Sequence, residues 1–150
     1  MTWRSTMLAA TCFLALAASA CRSGPPGPAT LDTRNEKCAS CRMMVSSRVF
    51  ASQVAAPGEE PTFFDDLGCL ATWLEKTPKP KDAVIYVADH RTGEWVNAGR
   101  AVFSRVDTLD TPMGSHIVAH ADEASRAEDG AARGGTVLTR AEALGRAGAQ

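Results

Sequence analysis

The sequence predicts an α+β fold, and three observations support that prediction. Strand-forming and helix-forming runs alternate irregularly along the chain, as they do in α+β domains. The 150 residues are 45% hydrophobic and 22% charged, an ordinary composition for a globular domain. No internal repeat at a solenoid period is found. We therefore expect one folded domain, over residues 38–150.

The first part of this domain is predicted to be two strands followed by a helix. The strands are expected over Val49–Val54 and Thr62–Phe64, which are rich in β-branched and aromatic residues. Asp65 or Asp66 can cap a helix over Leu67–Lys76. That helix would place four apolar side chains on one face: Leu67, Leu70, Ala71 and Leu74.

The second part continues with short strands and two helices. Thr139 is expected to cap the last helix because a Thr at that position can accept a backbone hydrogen bond. The predicted strands are Ala83–Ala88, Ala101–Val106 and Thr136–Leu138, and the predicted helices cover residues 122–132 and Arg140–Arg146.

The N-terminal residues indicate export and membrane attachment. Arg4, the apolar run Met7–Ala18 and the small residues before Cys21 predict a signal peptide over residues 1–20. This segment resembles a bacterial lipoprotein signal, which implies that Cys21 carries lipid and anchors the protein without spanning the membrane. Plain cleavage before Cys21 is the alternative. By the same resemblance, Arg22 favours the outer membrane over the inner one.

A Pro/Gly-rich segment follows the expected lipidation site. Residues 21–37 include Gly24-Pro25-Pro26-Gly27-Pro28, a composition that cannot bury a core. We expect a disordered tether here, holding the domain off a membrane.

The charge balance excludes one class of partner. There are 16 Lys and Arg residues against 17 Asp and Glu residues, for a formal charge of −1. Binding of nucleic acid by bulk charge requires a basic surface, so no nucleic-acid partner is expected.

Cys38 and Cys41 form a CxxC motif at the start of the domain. Haem attachment would need a His after the second Cys, and Arg42 occupies that position. A structural zinc site usually needs a second pair of ligands at regular spacing, which is not evident. A redox-active CxxC is plausible in an oxidising compartment. Zinc and redox chemistry therefore remain open alternatives.

Methionines near these cysteines favour copper. Met43 adjoins the CxxC, and Met113 lies in the turn-like Thr111-Pro112-Met113-Gly114. Thiolate and thioether sulfurs are the donors that soft, low-coordinate Cu(I) prefers. His116 and His120 follow Met113 by three and seven residues, which would place them on one face of a helix. The common alternatives are core packing for the methionines and surface positions for the histidines.

Cys69 and His90 are weaker candidates. Cys69 falls in the first turn of the predicted helix, where the helix dipole lowers a thiol pKa. It can be a ligand, a disulfide partner of Cys38 or a small buried residue, and burial ranks first. His90 precedes a turn and is expected at the surface.

Taken together, these motifs resemble the nitrous oxide reductase accessory protein family (NosL) from about Cys38 onward. The segments that carry the resemblance are Cys41-Arg42-Met43, Phe64-Asp65-Asp66-Leu67-Gly68-Cys69, Tyr86-Val87, Thr92-Gly93-Glu94-Trp95-Val96, Thr111-Pro112-Met113-Gly114 and 134–138. The resemblance implies two small ββαβ units, similar to those of organomercurial lyase. It also implies a copper-binding lipoprotein on the periplasmic side of a bacterial membrane.

The resemblance further implies a chaperone rather than an enzyme. One Cu(I) would pass to the machinery that assembles nitrous oxide reductase, including a periplasmic protein on an ABC-type transporter. The expected ligands are Cys41, Met43 and Met113, with Cys38 and His116 as secondary ones. The chain departs from the family pattern at Arg42, where Gly is common, and at His116, where a small residue is expected. The alternative function is a membrane-anchored thiol–disulfide redox protein that uses the CxxC pair.

Overall fold

The computed structural model describes residues 24–149, so the predicted signal peptide and Cys21 lie outside the described residues. The first unit has four antiparallel strands, one helix between the second and third strands, and a 3₁₀ turn over Arg48–Phe50. Its elements are β1 (Ser52–Ala55), β2 (Thr62–Phe64), α1 (Leu67–Lys76), β3 (Val84–Ala88) and β4 (Trp95–Asn97). The strand order across this sheet is β2-β1-β3-β4.

The second unit has three antiparallel strands and two helices, with a 3₁₀ turn over Gly130–Ala132. Its elements are β5 (Val102–Arg105), β6 (Ile117–His120), α2 (Glu123–Glu128), β7 (Thr136–Leu138) and α3 (Arg140–Gly148). The strand order is β6-β5-β7. Both units therefore place their first strand between the second and the third, and a helix follows the second strand in each. The predicted α+β class and the two ββαβ units are confirmed.

The core lies between the sheets and the helices. α1 packs against α3, and its buried face includes Leu70 and Leu74, as the apolar spacing predicts. Leu144 of α3 and the aromatic residues Phe64 and Phe103 are fully buried beside them. Each such side chain contributes about 1.5–3 kcal/mol by leaving water. This packing holds the N-terminal end of α1 in place.

Local capping interactions fix where the helices begin. The Asp66 carboxylate accepts a hydrogen bond from the Gly68 amide at 2.6 Å, and Asp66 is the residue that caps α1. Thr139 and Glu142 form a reciprocal capping box at the start of α3. Each cap satisfies backbone N–H groups that have no partner inside the helix.

The expected disordered tether differs from the structure in its described part, because Pro26 and Ala29 are hydrogen-bonded to the first sheet. The buried Gln53 side chain pairs with both the N–H and the carbonyl of Ala29, at 2.8 and 3.0 Å. The Tyr86 hydroxyl donates to the carbonyl of Pro26 at 2.8 Å, and Leu31 is buried. Composition alone could not show these contacts, since they join residues 24 or more positions apart in the sequence.

Two further elements differ from the sequence-based expectation. The run Val49–Val54 begins with a 3₁₀ turn and becomes a strand only at Ser52. Ile117–His120 is a strand with all four residues buried, so the expected helical face shared by Met113, His116 and His120 does not exist. Among residues 24–149, no helix has the length and apolar character needed to cross a bilayer.

Candidate metal centre

Three thiols and one carboxylate meet at the N-terminal end of α1. Ligand atoms of Cys38, Cys41, Asp65 and Cys69 all lie within 4.8 Å of one another. All three cysteines are free thiols. The Cys41 Sγ is 3.5 Å from both Asp65 carboxylate oxygens and donates its S–H to them. We call this group the thiol cluster.

A tight turn positions Cys38 and Cys41. The Cys38 amide donates to the Met43 carbonyl at 2.8 Å, and the Arg42 amide donates to the Cys38 carbonyl at 2.9 Å. The Ala39 amide donates to the carbonyl of Phe63 at 2.9 Å, which fastens the turn to β2. Arg42 has φ of 69°, a left-handed conformation that favours glycine. Arg42 therefore occupies a position at which Gly would be less strained, and its exposed side chain remains in solvent.

The adjacent strand-to-helix connection supplies the other two members. Asp65 follows β2 directly, and Cys69 is the third residue of α1. Cys38 is 0% exposed and Cys69 is buried, whereas Cys41 is half-buried. Cys41 is therefore the thiol through which an ion would enter or leave the cluster.

Burial keeps the thiols of Cys41 and Cys69 protonated in the absence of a metal. Burial raises the pKa of the Cys41 thiol, and the neighbouring Cys38 adds to that shift. Burial raises the pKa of Cys69 still more strongly, helped by the neighbouring Cys38 and Asp65 groups. The expected lowering of the Cys69 pKa by the helix dipole is wrong, because burial and adjacent negative charge outweigh it. Since a metal binds the thiolate, it must displace these protons.

Asp66 ties the Met113 loop to the same helix end. The Asp66 Oδ2 accepts from the Thr111 hydroxyl at 2.7 Å and from the Met113 amide at 3.0 Å. These hydrogen bonds hold the pKa of the Asp66 carboxyl below its usual value, although burial acts in the opposite direction. Asp65 and Asp66 are consecutive, so two neighbouring carboxylates contact Cys41 on one side and the Met113 loop on the other.

The thioethers lie at the surface around this helix end. Met43 is 57% exposed and Met113 is 45% exposed, and Met44 is also exposed. Surface positions at this level are unusual for such apolar side chains, so core packing does not account for Met43 or Met113.

The three histidines fall in different places. His116 lies outside the thiol cluster, with φ of 57°, which fits the small residue expected there. Its Nδ1–H donates to the Leu109 carbonyl at 2.8 Å, which leaves Nε2 as the nitrogen with a free lone pair in the neutral ring. His90 and His120 instead meet Asp129 in a second cluster. The expectation that His90 is a surface residue is wrong, because its side chain is 9% exposed.

Sequence reasoning treated Cys69 mainly as a small buried residue, and the structure makes it a full member of the thiol cluster. The signal available was its position in the first turn after Phe64-Asp65-Asp66. With Cys69 included, the donors are three sulfurs and one carboxylate oxygen. This set suits soft Cu(I), and it also meets the ligand count of a tetrahedral zinc site.

The fold and the site define a class: a small α+β protein of two ββαβ units with a thiol-rich site for a soft metal. A family model described as NosL matches residues 28–145, and the chain belongs to the NosL family. No curated protein matches the sequence.

A solved structure supports the fold. The crystal structure of the copper chaperone NosL from Shewanella denitrificans aligns with a TM-score of 0.56 and 18% sequence identity. The alignment covers 76% of this chain and 93% of that chain. At this identity the similarity concerns the arrangement of strands and helices.

Proposed function

We propose that this protein is a copper chaperone, not an enzyme, that carries one Cu(I) as cargo on the thiol cluster. The observation that carries the proposal is the meeting of Cys38, Cys41 and Cys69 within 4.8 Å. Membership of the NosL family and similarity in fold to a copper chaperone support copper as the metal. Two or three sulfur donors at low coordination number match the preference of Cu(I).

Transfer would proceed by ligand exchange at the exposed side of the cluster. Cys41 is the most accessible thiol, and Met43 and Met113 are exposed near the same turn and loop. A neutral thioether has no proton to lose and binds weakly, so it can hold Cu(I) while a partner sulfur or imidazole attacks. His116 Nε2 is the remaining candidate donor from this loop.

The cellular setting of the proposal follows from the sequence and from the family. Cys21 would carry the lipid and hold the protein on the periplasmic side of the outer membrane. The recipient would be the assembly machinery of nitrous oxide reductase, through a periplasmic protein on an ABC-type transporter. Cys21→Ser should move the protein from the membrane fraction to the soluble fraction, and a variant that stays membrane-bound contradicts the lipid anchor.

The central test is a competition titration of the reduced protein with Cu(I) against a chromogenic Cu(I) chelator. We expect a one-to-one complex that is strongly weakened in Cys41→Ser and in Cys69→Ser. Met44→Leu is the matched control, because it replaces a nearby thioether with a side chain of similar volume. Failure to form a one-to-one complex, or affinity in both cysteine variants equal to that of the unsubstituted protein, contradicts the proposal.

Two parallel measurements separate the competing chemistries. Zn²⁺ added in excess should not displace Cu(I), and displacement would indicate a zinc site instead. A disulfide-reduction assay should show no turnover by Cys38 and Cys41, whereas turnover that survives Met113→Leu would favour the redox alternative.

A further inference from the structure

A second cluster of metal-ligating side chains lies away from the thiols. The Asp129 Oδ2 is 2.6 Å from the His90 Nδ1 and 3.0 Å from the His120 Nε2. His90 follows β3 of the first unit, while His120 ends β6 and Asp129 follows α2 in the second unit. The three side chains thus join the two units at one point.

This cluster is buried and carries a formal charge. His120 is 0% exposed, and the side chains of Asp129 and His90 are nearly as well buried. Both imidazoles converge on the same carboxylate oxygen, while the other oxygen accepts from the Ala131 amide at 2.9 Å. A buried carboxylate is costly unless a cation or strong hydrogen bonds offset its charge. Hydrogen bonds from His90, His120 and the Ala131 amide supply that compensation here, and a cation held between the three side chains would replace the two from the histidines.

The backbone around the histidines is fixed independently of Asp129. The His90 amide donates to the Ala119 carbonyl at 2.8 Å, and the Ala121 amide donates to the Asp89 Oδ2 at 2.7 Å. These two hydrogen bonds therefore join Asp89 and His90 to the residues on either side of His120. Such support holds ligands in place before an ion arrives, which is a property of built metal sites.

The His120 Nε2–H donates to the Asp129 carboxylate, because a carboxylate oxygen can only accept. Its Nδ1 is buried and makes no hydrogen bond within the described residues. The lone pair of the neutral ring then lies on Nδ1, and a metal ion bound at Nε2 would displace the Nε2 proton, which Nδ1 can take up. A neutral imidazole nitrogen with a free lone pair is the form that binds metal.

We propose that His90, His120 and Asp129 form a second metal site that binds a divalent cation of the Zn²⁺ class. Two imidazole nitrogens and one carboxylate oxygen, with water in the fourth position, match the ligands and coordination number of Zn²⁺. Bond lengths of about 2.0–2.2 Å in a tetrahedron separate neighbouring ligand atoms by roughly 3.3 Å. The contacts of 2.6 and 3.0 Å reach that spacing with movements below about 1 Å.

The two clusters occupy related places in the two units. Phe64 ends β2 opposite Ser52, and His120 ends β6 opposite Val102, so each ends the second strand of its unit opposite the first residue of the first. One member of each cluster thus lies at the end of the second strand of its unit: His120 is the last residue of β6, and Asp65 directly follows β2. Their donor sets differ, with sulfur in one and nitrogen and oxygen in the other. The second site is therefore independent of the copper proposal and would not compete for Cu(I).

The test uses the full chain carrying Cys41→Ser and Cys69→Ser, so that thiols do not dominate metal binding. Co²⁺ serves as the spectroscopic probe, followed by Zn²⁺. We expect one Co²⁺ per chain, visible bands of four-coordinate cobalt and no sulfur-to-cobalt absorption in the near ultraviolet. Zn²⁺ should displace the cobalt and raise the thermal midpoint, because it links the two units and binds only the folded state.

His90→Gln should abolish the cobalt spectrum and the thermal shift, while Asp107→Asn, at an exposed position outside both clusters, should leave both unchanged. Zinc K-edge spectroscopy on the chain with all histidines intact should show imidazole scattering, so the outcome does not depend on a variant that folds poorly. The proposed metal site is overturned if no metal binds, or if binding persists in His90→Gln. The three residues would then be a hydrogen-bonded His–Asp–His cluster. A failure of Cu(I) binding at the thiols would not affect this result.

Discussion

The Sγ of Cys41 lies 3.5 Å from both carboxylate oxygens of Asp65, a residue 24 positions further along the chain. This contact joins the CxxC turn to the connection between β2 and α1. It also places a carboxylate near Cys69, whose pKa is raised by burial and by the neighbouring Cys38 and Asp65 groups. In the absence of a metal, Cys41 and Cys69 therefore remain protonated, and their reactivity should be low.

Thiol labelling should reveal this protonation. Because burial raises the pKa of both Cys41 and Cys69, we expect alkylation at pH 7 to be slower than for an unstructured cysteine. Cys41 should react first, since it is the only half-buried thiol among the three described cysteines. The rate should keep rising above about pH 8.5, the ordinary pKa of a free thiol. Mass spectrometry of labelled peptides measures this order, and fast labelling of Cys69 at pH 7 would contradict it.

Copper should protect the same residue. In protein loaded with Cu(I), we expect the labelling of Cys41 to fall sharply, because the bound metal removes the thiolate lone pair from reaction. Arg42→Lys provides a control in the same turn, since it keeps the exposed charge and no donor atom changes. Equal labelling with and without Cu(I) would remove Cys41 from the site.

Met113→Leu should separate metal binding from stability. Leu has nearly the volume of Met and lacks the sulfur, and the side chain is exposed, so the thermal midpoint should stay unchanged. If the Met113 thioether binds Cu(I), the Cu(I) affinity of the variant should be about tenfold lower, which corresponds to about 1.4 kcal/mol. Competition titration measures the change, and Met44→Leu is the matched substitution with little expected effect. An unchanged affinity in Met113→Leu would exclude this thioether as a ligand.

Sequence reasoning succeeded where the determinants are local. The bounds of α1 and its cap at Asp66 depend on residues close to one another in the chain, as does the capping of α3 by Thr139. β6 was missed because Ile117–His120 is short and follows a loop, so its pairing with β5 provides the only clear signal. The ordered conformation of the predicted tether likewise depends on contacts with Gln53 and Tyr86, which are distant in sequence.

The residues of the candidate site likewise divide into those visible from local sequence and those brought together by distant contacts. Cys38 and Cys41 are visible as a local motif, and the exposed methionines beside them follow from the same stretch of sequence. Cys69 joins them because the Ala39 amide bonds to the Phe63 carbonyl of β2, which holds the CxxC turn beside the start of α1. His90 resembles a surface residue before a turn, and only the contact between the two units brings it to Asp129.

Asp89→Asn should destabilise the junction between the units. The buried Asp89 carboxylate accepts four hydrogen bonds, from the Arg91, Thr92 and Ala121 amides and from the Ser125 hydroxyl. Asn keeps one acceptor oxygen and directs an NH₂ group at donors, so we expect a loss of about 2–3 kcal/mol. Urea unfolding at pH 7 measures this loss of stability, and Asp107→Asn, at an exposed position, is the control.

The Asp89 carboxylate should also make the stability of the fold depend on pH. Burial acts to raise the pKa of Asp89, but the four hydrogen bonds hold it below its ordinary value in the folded state. A carboxyl with a lowered folded pKa stabilises the fold above its unfolded pKa, near about 3.9, and loses that contribution as the pH falls. The stability difference between the protein and Asp89→Asn should therefore shrink below about pH 4. A difference that grows on acidification would contradict this assignment.

Gly68→Ala tests whether the position of the Met113 loop matters for the metal. A Cβ at residue 68 would lie 2.9 Å from the Cβ of Ser115 and 3.1 Å from the Oδ1 of Asp66. Ser115 cannot yield without moving its loop, so overpacking should cost about 1–3 kcal/mol, partly offset by the better helix propensity of Ala. Gly130→Ala is the control, because no atom lies within 4 Å of its added Cβ.

The diagnostic result for Gly68→Ala is a split between two measurements. The loop that the added methyl group displaces carries Met113, whose amide is held by Asp66. The CxxC turn is instead fixed by its own internal hydrogen bonds and by one from the Ala39 amide to β2. We therefore expect weaker Cu(I) binding with an unchanged labelling rate at Cys41. Weaker Cu(I) binding together with a changed labelling rate at Cys41 would show that the substitution disturbs the whole N-terminal end of α1. Retention of full Cu(I) affinity, together with a shifted loop, would mean that the three thiols hold the ion without Met113.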